Sequence, residues 1–171
     1  MKLAVIGAVG VPSCYGGFET MAENLVVHAH NSRPDAQLTV WCSAVGMRVC
    51  PPRFRHADLR YIPLKANGVQ SVLYDFVSLL DAIRTRHDRI LVLGVSGALL
   101  LSLIRLISRA RVATNIDGIE WRRSKWSGPA RVFLRASEWA AVRFSHTVIA
   151  DNKAIADYVR NRYGLGCAVI C

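Results

Sequence analysis

Acidic residues are scarce in this chain. Twelve Asp and Glu stand against 22 Lys and Arg, giving a formal charge of +10 and a pI near 10.0. Such an excess favours an anionic partner: nucleic acid, acidic lipid headgroups or a phosphorylated substrate. A generally basic surface is the plain alternative, because net charge speaks to association and not to fold. Charged residues of either sign make up only 20% and hydrophobic residues 52%, which excludes a disordered chain. The five cysteines (Cys14, Cys42, Cys50, Cys167, Cys171) are an odd set without C-x-x-C spacing. That pattern excludes a zinc ribbon and a disulfide framework, and a reducing, cytoplasmic compartment is the expectation. Long apolar runs are lacking too. The opening MKLAVIG is short and passes straight into a glycine-rich loop, so it reads as a buried strand and not as a signal peptide. Leu91 to Ile104 carries no charge, but Gly94, Ser96, Gly97 and Ser102 interrupt it. A membrane span needs about 20 apolar residues, so a strand, a turn and a helix are expected there. No repeat, low-complexity tract or linker is found, and residues 1–171 are expected to form one domain.

What is present is alternation. Strand patterns occur at 2–7, 37–42, 59–63, 89–93, 111–114, 146–150 and 168–170. Helical patterns occupy 18–30, 69–86, 98–108, 129–144 and 151–162. Within 69–86 the apolar residues Val72, Leu73, Phe76, Leu79, Leu80 and Ile83 recur at three-to-four spacing. In the last helix Asp151 is the expected cap and Gly164 the expected terminator. Near-continuous apolar strands alternating with helices predict an α/β, Rossmann-like domain with a mostly parallel sheet covered on both faces. Ligands of such sheets bind beyond the carboxyl ends of the strands. The loops 8–20, 94–97 and 115–127 lie at that edge and carry the unusual residues.

The first loop holds Gly7, Gly10, Tyr15, Gly16, Gly17, Phe18 and Glu19. Glycines there let a backbone approach a ligand, and a helix start favours an anion. A dinucleotide fingerprint is excluded by spacing. Gly7 and Gly10 are three apart, the next glycine is Gly16, and Trp41-Cys42-Ser43 stands where an acid would hold a ribose. Gly16 and Gly17 read as a backbone wall for a sugar or phosphate, or as a tight turn. Glu19 reads as a partner for sugar hydroxyls, or as a first-turn charge favoured by the helix dipole.

The loop after the fifth strand packs two carboxylates (Asp117, Glu120), two tryptophans (Trp121, Trp126) and three cations (Arg122, Arg123, Lys125) into residues 115–126. Asp117-Gly118 is a turn signal that points a carboxylate off the strand end. Tryptophan faces suit the C–H faces of a pyranose, Arg and Lys suit phosphate, and one carboxylate can act as base on an acceptor hydroxyl. The plainer readings are a turn cap for Asp117, a pair with Arg122 or Arg123 for Glu120, and core packing for the tryptophans. From Arg122 to Arg143 cations alternate with Trp126, Phe133 and Trp139. That stretch suits an interfacial helix on anionic lipid, or an ordinary surface helix with Phe133 and Ala136 inward. No helix–turn–helix, zinc-finger or RNP-like pattern accompanies the charge, which argues against nucleic acid.

Val11-Pro12 followed by Tyr15-Gly16-Gly17-Phe18-Glu19-Thr20, and Asn115-Ile116-Asp117-Gly118-Ile119-Glu120-Trp121 with Lys125-Trp126, resemble a known group. It is the N-terminal domain of bacterial family-4-like GT-B glycosyltransferases, which include rhamnosyltransferases of cell-surface polysaccharide assembly. Ser137-Glu138, Ile149-Ala150-Asp151, Tyr158 and Tyr163-Gly164 extend the resemblance to nearly the whole chain. It implies a GT-B N-terminal, acceptor-side domain and a sugar transferred from a nucleotide sugar to a lipid-linked saccharide at the inner face of the cell membrane. Asp117 and Glu120 are the implied catalytic carboxylates. Gly10, Tyr15, Gly16, Gly17, Phe18, Glu19, Trp121, Arg122 and Lys125 are the implied substrate-binding residues. No metal is implied, and no cofactor beyond the nucleotide-sugar donor. The implied partners are the lipid-linked acceptor, an anionic membrane surface, and a donor-binding domain or second chain, since the donor half is expected to be missing. Cys14 departs from the group, which more often has a small or basic residue there. The alternative is a non-catalytic module that binds a glycolipid or membrane surface.

Overall fold

The apolar runs read as buried strands are strands. The structure, a computed structural model, describes residues 1–13, 16–116, 118–124 and 126–170. Contacts divide the chain into two compact units, Met1–Leu91 and Val92–Cys171. The first holds β1 (Lys2–Ile6), α1 (Gly17–Ser32), β2 (Gln37–Ser43), β3 (Arg53–Phe54), β4 (Ala57–Ile62) and α2 (Ser71–Arg84). Its strands run in the order β3-β4-β2-β1, with β1, β2 and β4 parallel. The short β3 is antiparallel to β4 and was not expected from the sequence. Val5, Ile6, Leu38, Val40 and Trp41 are buried, as strands covered on both faces require.

The division falls on β5 (Arg89–Leu93). The second unit then holds α3 (Leu101–Ile107), β6 (Arg111–Ile116), α4 (Gly128–Phe144), β7 (Thr147–Ala150), α5 (Lys153–Tyr163) and β8 (Ala168–Val169). Here the order is β6-β7-β8, all parallel. The fold class is therefore α/β with a mostly parallel sheet, as the alternation predicts. The uncharged stretch from Leu91 resolves into β5, a 3-10 turn at Ala98–Leu100 and α3. No helix among the described residues is long and apolar enough to cross a membrane.

Three local expectations are corrected. In α2 the buried positions are Tyr74, Asp75, Ser78, Leu79 and Ala82, while Leu73 and Leu80 are about half exposed. The Tyr74 hydroxyl donates to Ala8 O at 3.1 Å from a fully buried site. In α4 Ala136 faces solvent, and Leu134, Ser137, Glu138 and Ala141 point inward. The cap of α5 is Asn152 and not Asp151. Asn152 Oδ1 accepts the Ile155 N–H at 3.0 Å, whereas Asp151 accepts from the Asn115 side chain at 2.8 Å. Gly164 ends α5 with φ 69°, the left-handed conformation that glycine enters without penalty.

Candidate functional site

The loop leaving β1 turns at Gly7, whose φ of 103° suits only glycine. It is then tied down from several sides. Val9 O accepts the Ser43 N–H at 2.8 Å, so the loop continues the pairing of β1 with β2. Gly10 is buried against Cys42, and a Cβ there would collide with the Met47 side chain. Only the movable end of Met47 stands in the way, and Cys42 lies at ordinary contact distance. Glu19, in the first turn of α1, is 3% exposed. Its Oε1 accepts the Val9 N–H at 2.6 Å and its Oε2 the Gly16 N–H at 2.8 Å. A buried carboxylate needs such donors, and the α1 N-terminus adds a favourable field. Glu23 extends the pattern by accepting the Ser13 N–H at 2.6 Å. The structure gives Glu19 the work of holding the loop, with both oxygens turned to backbone. Cys14 and Tyr15 lie outside the described residues.

Gly16 and Gly17 are different. Gly16 is extended backbone, and at Gly17 an added Cβ would meet nothing within 4 Å. Neither has a positive φ, and among the described residues nothing demands glycine at Gly17. Phe18 beside it is half-buried.

The second loop leaves β6 through Asn115, which is fully buried and held to Asp151. Asp117 and Lys125 lie outside the described residues. Residues Glu120–Arg122 form a 3-10 turn that packs on α4. Glu120 is engaged from two directions: the Arg123 Nε lies 3.0 Å from its Oε2, and the Trp126 indole donates to its Oε1 at 3.0 Å. The pair with Arg123, one of the two partners proposed by the plainer reading, is present.

Trp121 and Arg122 belong to a cluster that sequence spacing does not reveal. The guanidinium carbons of Arg122, Arg135 and Arg162 lie 5.2, 5.7 and 5.3 Å from the Trp121 ring centroid. Arg122 and Arg162 also face Tyr158 at 5.7 and 5.9 Å. Below them Glu138, 1% exposed, accepts both the Tyr158 and the Tyr163 hydroxyls on Oε1, at 2.7 and 2.5 Å. Arg162 Nε donates to the Tyr163 oxygen at 3.1 Å. Burial first, then Glu138, pushes both phenols up, so they remain protonated donors. Arg122, Arg135 and Arg162 have no ion-pair partner among the described residues. Arg135 and Arg162 were missed as site residues because they sit on α4 and α5, well beyond the loop in sequence. The only signal was Arg135 with Glu138 at i,i+3 and Tyr158 with Arg162 at i,i+4, each pair on one helical face. Among the described residues no group of three His, Cys, Asp or Glu is placed to hold a metal ion.

The fold has solved counterparts among glycosyltransferases. Sucrose-phosphate synthase from Thermosynechococcus elongatus matches with a TM-score of 0.71 at 11% identity, over 99% of this chain and 47% of that one. UGT89C1 from Arabidopsis thaliana matches in its complex with UDP at a TM-score of 0.55 and 12% identity, over 98% of this chain and 50% of that one. Its complex with UDP-L-rhamnose matches at 0.53 and 12%, over 95% and 49%. The chain therefore spans about half the length of these structures. At such identities the likeness establishes the shared GT-B glycosyltransferase fold and nothing finer. No curated protein sequence matches significantly. A family model does, over residues 1–170, and the chain belongs to that family, described as Domain of unknown function (DUF1972).

Proposed function

We propose that the chain is the acceptor-side half of a GT-B glycosyltransferase that moves a sugar from a nucleotide sugar to a lipid-linked saccharide at the inner face of the cell membrane. The observation that carries this reading is the match of 99% of the chain to half of a glycosyltransferase at a TM-score of 0.71. The bare Gly16-Gly17 step supports it. Gly17 meets no constraint among the described residues, and a ligand approaching the backbone supplies one. The UDP and UDP-L-rhamnose complexes of UGT89C1 favour a nucleotide-sugar donor, and the motif resemblance favours rhamnose as the sugar. A donor-binding half completes the enzyme, in the same polypeptide or in a second chain.

In this reading Asp117 receives the proton of the acceptor's attacking hydroxyl or orients that hydroxyl. Glu120, held to Arg123 and Trp126, shapes its own 3-10 turn. With a donor half supplied, labelled sugar should pass from a nucleotide sugar to a polyprenyl-diphosphate-linked acceptor. Asp117→Asn should slow transfer by about 100-fold or more with the circular dichroism unchanged, the usual loss for a positioned base. An unchanged rate removes Asp117 from the chemistry. No transfer from any nucleotide sugar tried removes the reading itself.

A further inference from the structure

We infer that Arg122, Arg135 and Arg162 form a binding site for a diphosphate group, with Trp121 as its floor. The inference deepens the transferase reading by naming the anionic part of the acceptor, and it rests on that reading only for where the diphosphate comes from. Three guanidiniums gathered around one indole repel one another, and the ring face offsets that repulsion only in part. Among the described residues the single carboxylate hydrogen-bonded into the cluster, Glu138, lies beneath it with Oε1 taken by two tyrosines. Its other oxygen is buried with no hydrogen-bond partner among the described residues, and it leaves the cluster net positive. The neighbouring carboxylate, Glu120, pairs with Arg123 and accepts from the Trp126 indole.

The three cations come from different elements: the 3-10 turn, α4 and α5. No helix ridge or sequence repeat brings them together, so their convergence is a property of the tertiary fold. Arg162 is oriented from behind by Tyr163, which Glu138 holds in turn. Such an anchored guanidinium presents its remaining N–H groups outward at little entropic cost. Arginine forks match the paired oxygens of phosphate, and a diphosphate presents two such groups to more than one arginine at once.

Inorganic pyrophosphate titrated into the full chain by calorimetry at low salt should bind saturably. Arg122→Gln, Arg135→Gln and Arg162→Gln should each weaken it by roughly ten- to a hundredfold, the range for losing charge-assisted hydrogen bonds. Arg84→Gln, which removes the same charge from the exposed end of α2, should leave affinity unchanged. Arg162→Lys retains the charge and loses the fork, so it should also weaken binding and guards against a purely electrostatic reading. Absence of saturable binding overturns the site, as does equal weakening by Arg84→Gln. Farnesyl diphosphate and UDP separate the two sources. Tighter binding of the first assigns a lipid-linked diphosphate, and of the second a nucleotide. Pyrophosphate binding that needs these arginines, in a protein that transfers no sugar, keeps the site and discards the transferase. Full transfer by Arg122→Gln and Arg162→Gln, once they have lost pyrophosphate binding, keeps the transferase and overturns the assignment of this site to the acceptor's diphosphate.

Discussion

A carboxylate with 3% of its surface exposed destabilises a fold unless it is met by donors, and Glu19 is met by two backbone N–H groups. Those bonds join the start of α1 to both ends of the loop after β1. Hydrogen bonds to a charged group are worth about 1.5–3 kcal/mol each. Glu19→Gln keeps the shape but removes the charge and turns an N–H₂ toward one of the two donors. It should cost on the order of 2 kcal/mol in urea denaturation. A loss of only a few tenths would mean that the loop holds itself, and Glu19 would return to the role of a sugar-binding group. The sequence could not choose between the two roles, since both want an acid in the first turn of a helix. What decides is burial, and burial depends on where the backbone of Val9 and Gly16 meets the start of α1. Gly10 and Gly17 make the same point. They look alike in sequence, yet one is packed against Cys42 and Met47 and the other is open.

At the scale of elements, period and punctuation carried most of the reading. β5 matches the expected residues and α4 begins one residue earlier than expected. The misses were in faces and caps. α2 has apolar residues around much of its circumference, so its hydrophobic pattern does not name the buried side. Tyr74 and Ser78 pack inward while Leu73 and Leu80 stay half exposed. For α5, adjacent Asp151 and Asn152 are both good caps by type. The choice fell to Asn152 because buried Asn115 takes the Asp151 oxygen. Asn152→Ala should therefore lower stability by about 1 kcal/mol, the usual worth of an N-cap. Asp151→Ala should act instead by removing the carboxylate that accepts from the buried Asn115 side chain. Far-ultraviolet circular dichroism during denaturation checks the first. Stability unchanged by Asn152→Ala would return the cap to Asp151. The arginine cluster was illegible for a related reason, since it joins a 3-10 turn, α4 and α5, and no spacing rule spans those.

For the whole molecule, alternation read along the chain was enough for the α/β class, because a parallel sheet needs crossovers and crossovers need helices. The net charge was legible as well, but not which charges gather. Histidine protonation is a global property that only the structure discloses. His87 is buried, and the carbonyl of Ala82, 3.2 Å from Nδ1, can only accept, so Nδ1 carries the proton. Nε2 is then free to accept from the Thr39 hydroxyl at 3.0 Å. Burial is the main cause that lowers the His87 pKa below its ordinary 6.5. Burial likewise lowers His56, aided by His30, and His146, aided by Arg105 and Arg111. With folded values depressed, the unfolded chain binds protons that the native state refuses. Stability is then complete above the ordinary value of 6.5 and falls as pH drops through it toward the lowered native values. The thermal midpoint should be flat near about pH 7.5 and fall steadily toward about pH 5.5, where carboxylates still contribute little. His87→Asn lowers the midpoint at neutral pH by removing the bridge between Thr39 and Ala82. It should also shrink the difference between the two pH values, because the most buried of the three groups no longer titrates. An undiminished pH difference in that variant would show that His87 is charged in the native state, with Nε2 donating to Thr39 and not accepting from it.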